Sequence, residues 1–73
     1  MATTFAYFYA VLDLETMMCM QVQDTTDYVD PNEYPEYIAI PEYDEGLVFT
    51  YYHEGRWYYD PDFQNEYIPI WEQ

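Results

Sequence analysis

Residues 43–60, YDEGLVFTYYHEGRWYYD, decide the fold. They hold an acidic turn at Tyr43-Asp44-Glu45-Gly46, an apolar and aromatic run from Leu47 to Tyr52, a tight reversal at Glu54-Gly55, and a second aromatic run from Trp57 to Tyr59. β-Branched and aromatic residues suit a pleated, half-buried surface, and the glycine falls where a short loop needs a positive φ, so the stretch reads as a β-hairpin. With Glu54 and Gly55 as a two-residue loop, Trp57 lies opposite Tyr52 and Tyr58 opposite Tyr51. Cross-strand aromatic pairs of this kind contribute roughly 0.2–1 kcal/mol each. Glutamate is a poor first residue for a type I′ turn, so a three-residue loop closing on Gly55 as a bulge stands beside the shorter one.

Upstream, FAYFYAVL from Phe5 to Leu12 places Phe5, Tyr7, Tyr9 and Val11 on one face and Ala6, Phe8, Ala10 and Leu12 on the other. Both faces are apolar, which predicts a central strand covered on two sides. Asp13 to Thr16 is a turn, and MMCMQVQ from Met17 to Gln23 is the returning strand. Strict alternation puts Met18, Met20 and Val22 opposite Met17, Cys19, Gln21 and Gln23, with the methionines as flexible core filler. Residues 5–23 are therefore a first hairpin. Residues 24–36 (DTTDYVDPNEYPE) are an acidic linker in which Pro31 and Pro35 rule out a long helix. Tyr37 to Ile40 is a short strand ended by Pro41, and residues 37–59 carry it into the second hairpin, Leu47 to Tyr59. In residues 60–73, Pro69 denies the alternating tail a full ladder, leaving an edge strand or an extended C-terminal arm. The predicted class is all-β: one small domain over residues 1–73, with two hairpins and a short middle strand in an antiparallel sheet, open or curled into a half-open barrel.

Composition narrows the function. Fifteen carboxylates against Arg56 give a formal net charge of −14. Such a surface repels nucleic acid and anionic lipid and attracts basic partners. At 51% hydrophobic and 23% aromatic residues, the chain nevertheless departs from the disordered signature. No apolar run approaches bilayer length and the N-terminus lacks a positive flank, so synthesis in a cytoplasm, with export only as part of an assembly, is the expectation. Cys19 is the one cysteine, which excludes an internal disulfide and reads as a small buried residue.

Catalytic patterns find no support in the residues. Serine is absent and His53 is the one histidine, so no Ser-His-Asp arrangement exists. Asp60-Pro61-Asp62 and Asp44-Glu45 offer oxygen ligands without EF-hand spacing, and there is no zinc spacing or glycine-rich phosphate loop. No enzyme activity, cofactor or metal is expected.

What remains is surface. Eleven Tyr and two Trp exceed what so small a core encloses, and tyrosine supplies contact area at low entropy cost with a wet rim. The candidate protein-binding residues are Tyr51, Tyr52, Trp57, Tyr58 and Tyr59 of the hairpin and Tyr67, Ile68, Ile70 and Trp71 of the arm. A second reading uses the acids. Asp24, Asp27, Asp30, Glu33 and Glu36 recur at every third position, and in a polyproline-like conformation they would line one edge about 9 Å apart. With Asp44 and Glu45 they would stand in for nucleic-acid phosphates and inhibit a basic host defence or DNA-processing enzyme.

Tyr9-Ala10-Val11-Leu12-Asp13, Tyr37-Ile38-Ala39-Ile40, Tyr43-Asp44-Glu45-Gly46-Leu47 and Tyr52 with Gly55 and Trp57 together resemble a small module encoded among tailed-phage structural genes. Such modules open on a Tyr-Ala-hydrophobic strand, pass through Tyr-Ile-x-Ile into Tyr-Asp-Glu-Ser-Leu-x-Gly-Lys, and close on a Tyr, Gly and Trp or Phe hairpin. The likeness covers Tyr9 to Asp60; Gly46 stands in place of the usual Ser, and Phe49-Thr50 where Gly-Lys is common. The resemblance implies a β-rich piece of a tail, fibre or baseplate, made in the host cytoplasm, present in the virion in several copies and bound to neighbouring structural subunits. It carries over no catalytic residue.

Self-repulsion among so many carboxylates destabilises the isolated fold at low ionic strength. The melting temperature is expected to rise with added sodium chloride, and a flat salt titration would contradict this.

Overall fold

The computed structural model describes residues 7–73 and shows one open, six-stranded antiparallel sheet in the order β3-β1-β2-β4-β5-β6. The strands are β1 (Tyr7–Asp13), β2 (Met18–Thr25), β3 (Tyr37–Ile40), β4 (Tyr51–His53), β5 (Arg56–Tyr58) and β6 (Glu66–Tyr67). Phe5 and Ala6, assigned above to the first strand, lie outside the described residues. The all-β expectation holds, and of its two forms the sheet is the open one.

The second hairpin has the shorter loop. Tyr51 pairs with Tyr58, Tyr52 with Trp57 and His53 with Arg56, which leaves Glu54 and Gly55 as the turn, at φ 48° and 82°. Two consecutive left-handed residues are what a type I′ turn demands, because its twist matches that of the strands it joins. The Tyr52 and Trp57 rings meet at 4.7 Å, tilted by 53°.

The strand expected from Leu47 begins only at Tyr51. Leu47 closes a 3-10 turn, Glu45–Leu47, whose N-cap is Asp44. Phe49 then takes a φ of 71°, and Thr50 bonds back to the Leu47 carbonyl through both its N–H (2.9 Å) and its hydroxyl (2.6 Å). Local side-chain bonding from Asp44 and Thr50 outcompetes ladder formation here, and its result is a fully buried Leu47.

In the first hairpin, Met17 sits at φ 65° inside the turn and β2 runs on through Asp24 and Thr25, residues assigned above to the linker. The strict alternation expected for β2 also fails. Val11 pairs with Gln21 but Leu12 with Cys19, so Met20 is the extra residue of a β-bulge. The bulge shifts the phase. Cys19 and Val22, which alternation assigned to opposite sides, both face the core beside Leu12 and Ala10, and Met20 is left exposed. Burial pushes the Cys19 thiol up to about 11, and its S–H points at the Gln21 carbonyl at 3.3 Å. A thiol so placed is inert at neutral pH.

The core lies on one face of the sheet: Ala10, Leu12, Cys19, Ile40, Leu47 and Trp57 are buried, with Phe8, Ile38, Tyr52, Tyr67 and Trp71 packed around them. The molecule measures 44 × 30 × 16 Å, thin enough for a sheet and one covering layer. That layer is the 3-10 turn and the tail, and Asp44 binds the two. Asp44 is buried; its Oδ1 accepts the Gly46 N–H (2.9 Å), and its Oδ2 accepts both the Tyr67 hydroxyl (2.8 Å) and the Ile70 N–H (2.9 Å). A Cβ at residue 46 would collide with the Tyr67 hydroxyl where Asp44 holds it, so a larger residue there would have to displace that ring. Of the two forms expected for the tail, the structure has the edge strand: β6 pairs with β5, Pro69 is buried, and a final 3-10 turn, Ile70–Glu72, folds back.

Burial, and then the bond to Asp44, push the Tyr67 phenol up to about 12 from 10.0. Because the folded-state value is the higher one, the fold favours the neutral phenol. The resulting stability is whole below pH 10.0 and is lost as pH rises to about 12. Tyr67→Phe is expected to cost about 1–2 kcal/mol at neutral pH. Chemical denaturation across the alkaline range should show the gap between wild type and variant closing over that window; a constant gap would contradict the latch. Glu54→Asn, which suits a left-handed φ, is expected to raise stability by about 0.5–1 kcal/mol in the same assay.

Candidate protein-binding face

The face of the sheet opposite the core is where the aromatic excess collects. Along β1 the odd positions Tyr7, Tyr9 and Val11 point away from Ala10 and Leu12, as the two-residue period of a strand requires. Tyr37 of β3 pairs with Val11 and joins the same face. β2 and β3 are both antiparallel to β1 and so run parallel to one another, on either side of it. A link between two parallel strands that flank a third has to cross a face of the sheet. The crossing segment, residues 26–36, passes over the tyrosines, and the Val29 N–H donates to the Tyr9 hydroxyl at 2.9 Å.

The crossing contains no helix and is held by its own turns. The Asp30 carbonyl accepts the N–H groups of Glu33 (3.1 Å) and Tyr34 (2.9 Å), and the Asp30 carboxylate accepts that of Asn32 (2.9 Å). This brings two more rings to the row. Tyr28 meets Tyr7 edge-on at 5.8 Å, Tyr7 stacks with Tyr9 at 6.3 Å, Tyr9 meets Tyr37 at 5.7 Å, and Tyr37 meets Tyr34 at 6.1 Å. Tyr9, in the middle, is enclosed. Tyr28 at one end is 64% exposed, Tyr34 at the other 49%, and Tyr7 37%. None of these five was among the candidate protein-binding residues read from the sequence. Their signal was present in the tyrosines at 7 and 9 on one strand face, and only the crossover unites them with 28 and 34.

The residues that were singled out divide between the two faces. Trp57, expected at the interface, is 3% exposed and belongs to the core, because its partner Tyr52 is on the inward phase of the hairpin. Tyr52, Tyr67 and Trp71 are likewise packed against the core. Tyr51 and Tyr58 have the outward phase and are half-buried. Tyr59, Ile68 and Ile70 are exposed, Tyr59 meeting Tyr67 edge-on at 5.5 Å. A smaller aromatic group forms on Phe63, which stacks on His53 at 4.1 Å and touches Tyr58 at 5.3 Å. Phe63 has a φ of 58° in a turn organised by Asp60. The Asn65 and Gln64 N–H groups bond to the Asp60 carboxylate and hold it below its ordinary value.

The acidic row is not a single extended edge. Asp24 is a β2 residue, Asp30 is half-buried and committed to its turn, and Asp44 is buried in the latch. Asp27, Glu33 and Glu45 are exposed and Glu36 is half-buried. Arg56 is bound to Glu66 (3.0 Å) and Glu72 (3.4 Å) on the far side of the sheet from β3. The tyrosine row therefore has acid around it and no Lys or Arg of its own. Among the described residues no group of three or more His, Cys, Asp or Glu is placed to hold a metal ion, no pocket is enclosed, and no helix is long and apolar enough to cross a membrane. No known protein family, curated protein or solved structure matches the chain.

Proposed function

We propose that this chain is a non-catalytic interaction module of a tailed-phage particle, which docks onto neighbouring tail, fibre or baseplate subunits through the tyrosine row. The observation that carries the reading is the row itself: five rings in contact on a sheet face that has no second layer beyond one thin crossing segment, with both end rings open to solvent. Tyrosines so placed are rigid contact area whose hydroxyls tolerate a wet rim. Tyr59, Ile68 and Ile70, exposed at the opposite end of the sheet, offer a second contact to another subunit. Placement in a virion rests on the resemblance of the Tyr9 to Asp60 segments to phage structural modules. The departure from that pattern at Gly46 has a local cause in the Tyr67 hydroxyl lying against it.

The uncompensated charge favours a second reading, an acidic inhibitor that occupies the nucleic-acid site of a basic host enzyme. Salt separates the two, since a polyanion mimic loses affinity steeply as salt rises and an aromatic contact does so mildly.

The test is assembly. In particles of the phage that encodes it, mass spectrometry should find the chain present, and the double variant Tyr28→Ala/Tyr34→Ala depleted by roughly tenfold or more. Both rings are exposed, so the variant is expected to fold, with an unchanged melting temperature as the control. Normal incorporation of a folded double variant, or absence of the wild-type chain from particles, would overturn the proposal.

A further inference from the structure

The chemistry of the tyrosine row specifies what it takes. We infer, resting on the docking role above, that the row binds an extended segment of a partner protein bearing arginine at alternate positions. Three observations converge. The first is the rings at the two ends of the row: the exposed Tyr28 and Tyr7 stand 5.8 Å apart at one end, and the exposed Tyr34 and half-buried Tyr37 stand 6.1 Å apart at the other. Residues on one face of an extended chain repeat every ~6.6–6.8 Å, so neighbouring same-face side chains of such a segment reach neighbouring rings.

The second is the placement of acid. Asp27 and Glu33, both exposed, belong to the crossing segment that carries Tyr28 and Tyr34, and that segment has no Lys or Arg, so the exposed rings stand in an anionic field. An aromatic face in an anionic field suits guanidinium above other groups. Guanidinium is planar, weakly hydrated and stacks on rings while its edge donates to oxygen, whereas an ammonium is a compact, strongly hydrated charge. The third is what the chain lacks. Its one Arg is engaged by Glu66 and Glu72 and it has no Lys, so a second copy, itself at −14, brings repulsion and no free guanidinium. Nucleic acid and anionic lipid are repelled by the same charge. The occupant is therefore a cationic protein segment, and the aromatic row selects arginine over lysine.

The experiment titrates the full chain against a short labelled peptide with arginine at alternate positions, read by fluorescence anisotropy. Its lysine counterpart and a neutral proline-rich peptide serve as comparisons. The arginine peptide is expected to bind roughly fivefold to tenfold more tightly than the lysine one. Tyr28→Leu/Tyr34→Leu should remove that preference, with unchanged circular dichroism showing that the fold is intact. Asp27→Asn/Glu33→Gln should weaken both cationic peptides and flatten the salt dependence. Equal binding of arginine and lysine peptides would reduce the row to bulk charge and overturn the inference, as would tighter binding of the proline-rich peptide or insensitivity to the tyrosine substitutions. The docking role fails separately. If the arginine peptide does not bind while Tyr28→Ala/Tyr34→Ala is still depleted from particles, only the partner chemistry falls; if the peptide binds and the variant is incorporated normally, only the assembly role does.

Discussion

The architecture turns on a connection that has no choice of route. Because β2 and β3 lie on either side of β1 and run parallel, the chain between them must pass over one face of the sheet. The commonest solution is a helix, whose own apolar stripe would become a second layer. Pro31 and Pro35 deny that solution, and what crosses instead is a short polar segment pinned by the Tyr9 hydroxyl and the Asp30 turn. So thin a cover encloses Tyr9 and leaves the rings around it partly in water. The open tyrosine face is thus a by-product of topology: large side chains on an outward phase, with too little chain above to bury them.

The opposite face is finished by polar chemistry more than by bulk. With 73 residues the core supplies only a few kcal/mol, and a carboxylate buried without partners would exhaust it. Asp44 avoids this by accepting from two backbone N–H groups and one phenol, and in doing so joins the 3-10 turn to the tail. Leu47, Pro69 and Trp71 close over the sheet as a consequence of where those donors are held. The tight approach of Tyr67 to Gly46 shows how little slack this joint contains.

Much of the fold was legible in the residues. Alternating aromatic and β-branched runs marked the hairpins, Glu54-Gly55 marked a turn, and Tyr37 to Ile40 kept its bounds because Pro41 ends it. The failures share a cause, which is that faces and pairings are decided at long range. A single bulge at Met20 inverted the assignment of Cys19 relative to Val22, and the sequence carries no mark of it. Asp44 read as an acidic turn residue and a stand-in for phosphate, and its long-range donors come from the tail, more than twenty residues on. Trp57 read as surface because aromatic excess was assigned to a segment, when the two-residue period divides every segment between inside and outside. Tyr28 and Tyr34 could not be joined to Tyr7 and Tyr9 from the sequence, because the wrap that carries them has a place only once it lies on β1.

The way the sheet's two halves meet has a mechanical meaning. β1 and β2 share seven paired positions, but β2 and β4 share one, Met18 with Tyr51, supported by bonds between Cys19 and the Phe49-Thr50 backbone and from Tyr52 to Met17. A load pulling along the long strands must shear many bonds at once, whereas a load prising the halves apart meets few ladder bonds and is opposed mainly by the packing of Leu47 and Trp57 against Ala10, Leu12 and Cys19. A piece anchored at the tyrosine end and at the tail end would resist tension in one direction and yield, as a compliant joint, in the other.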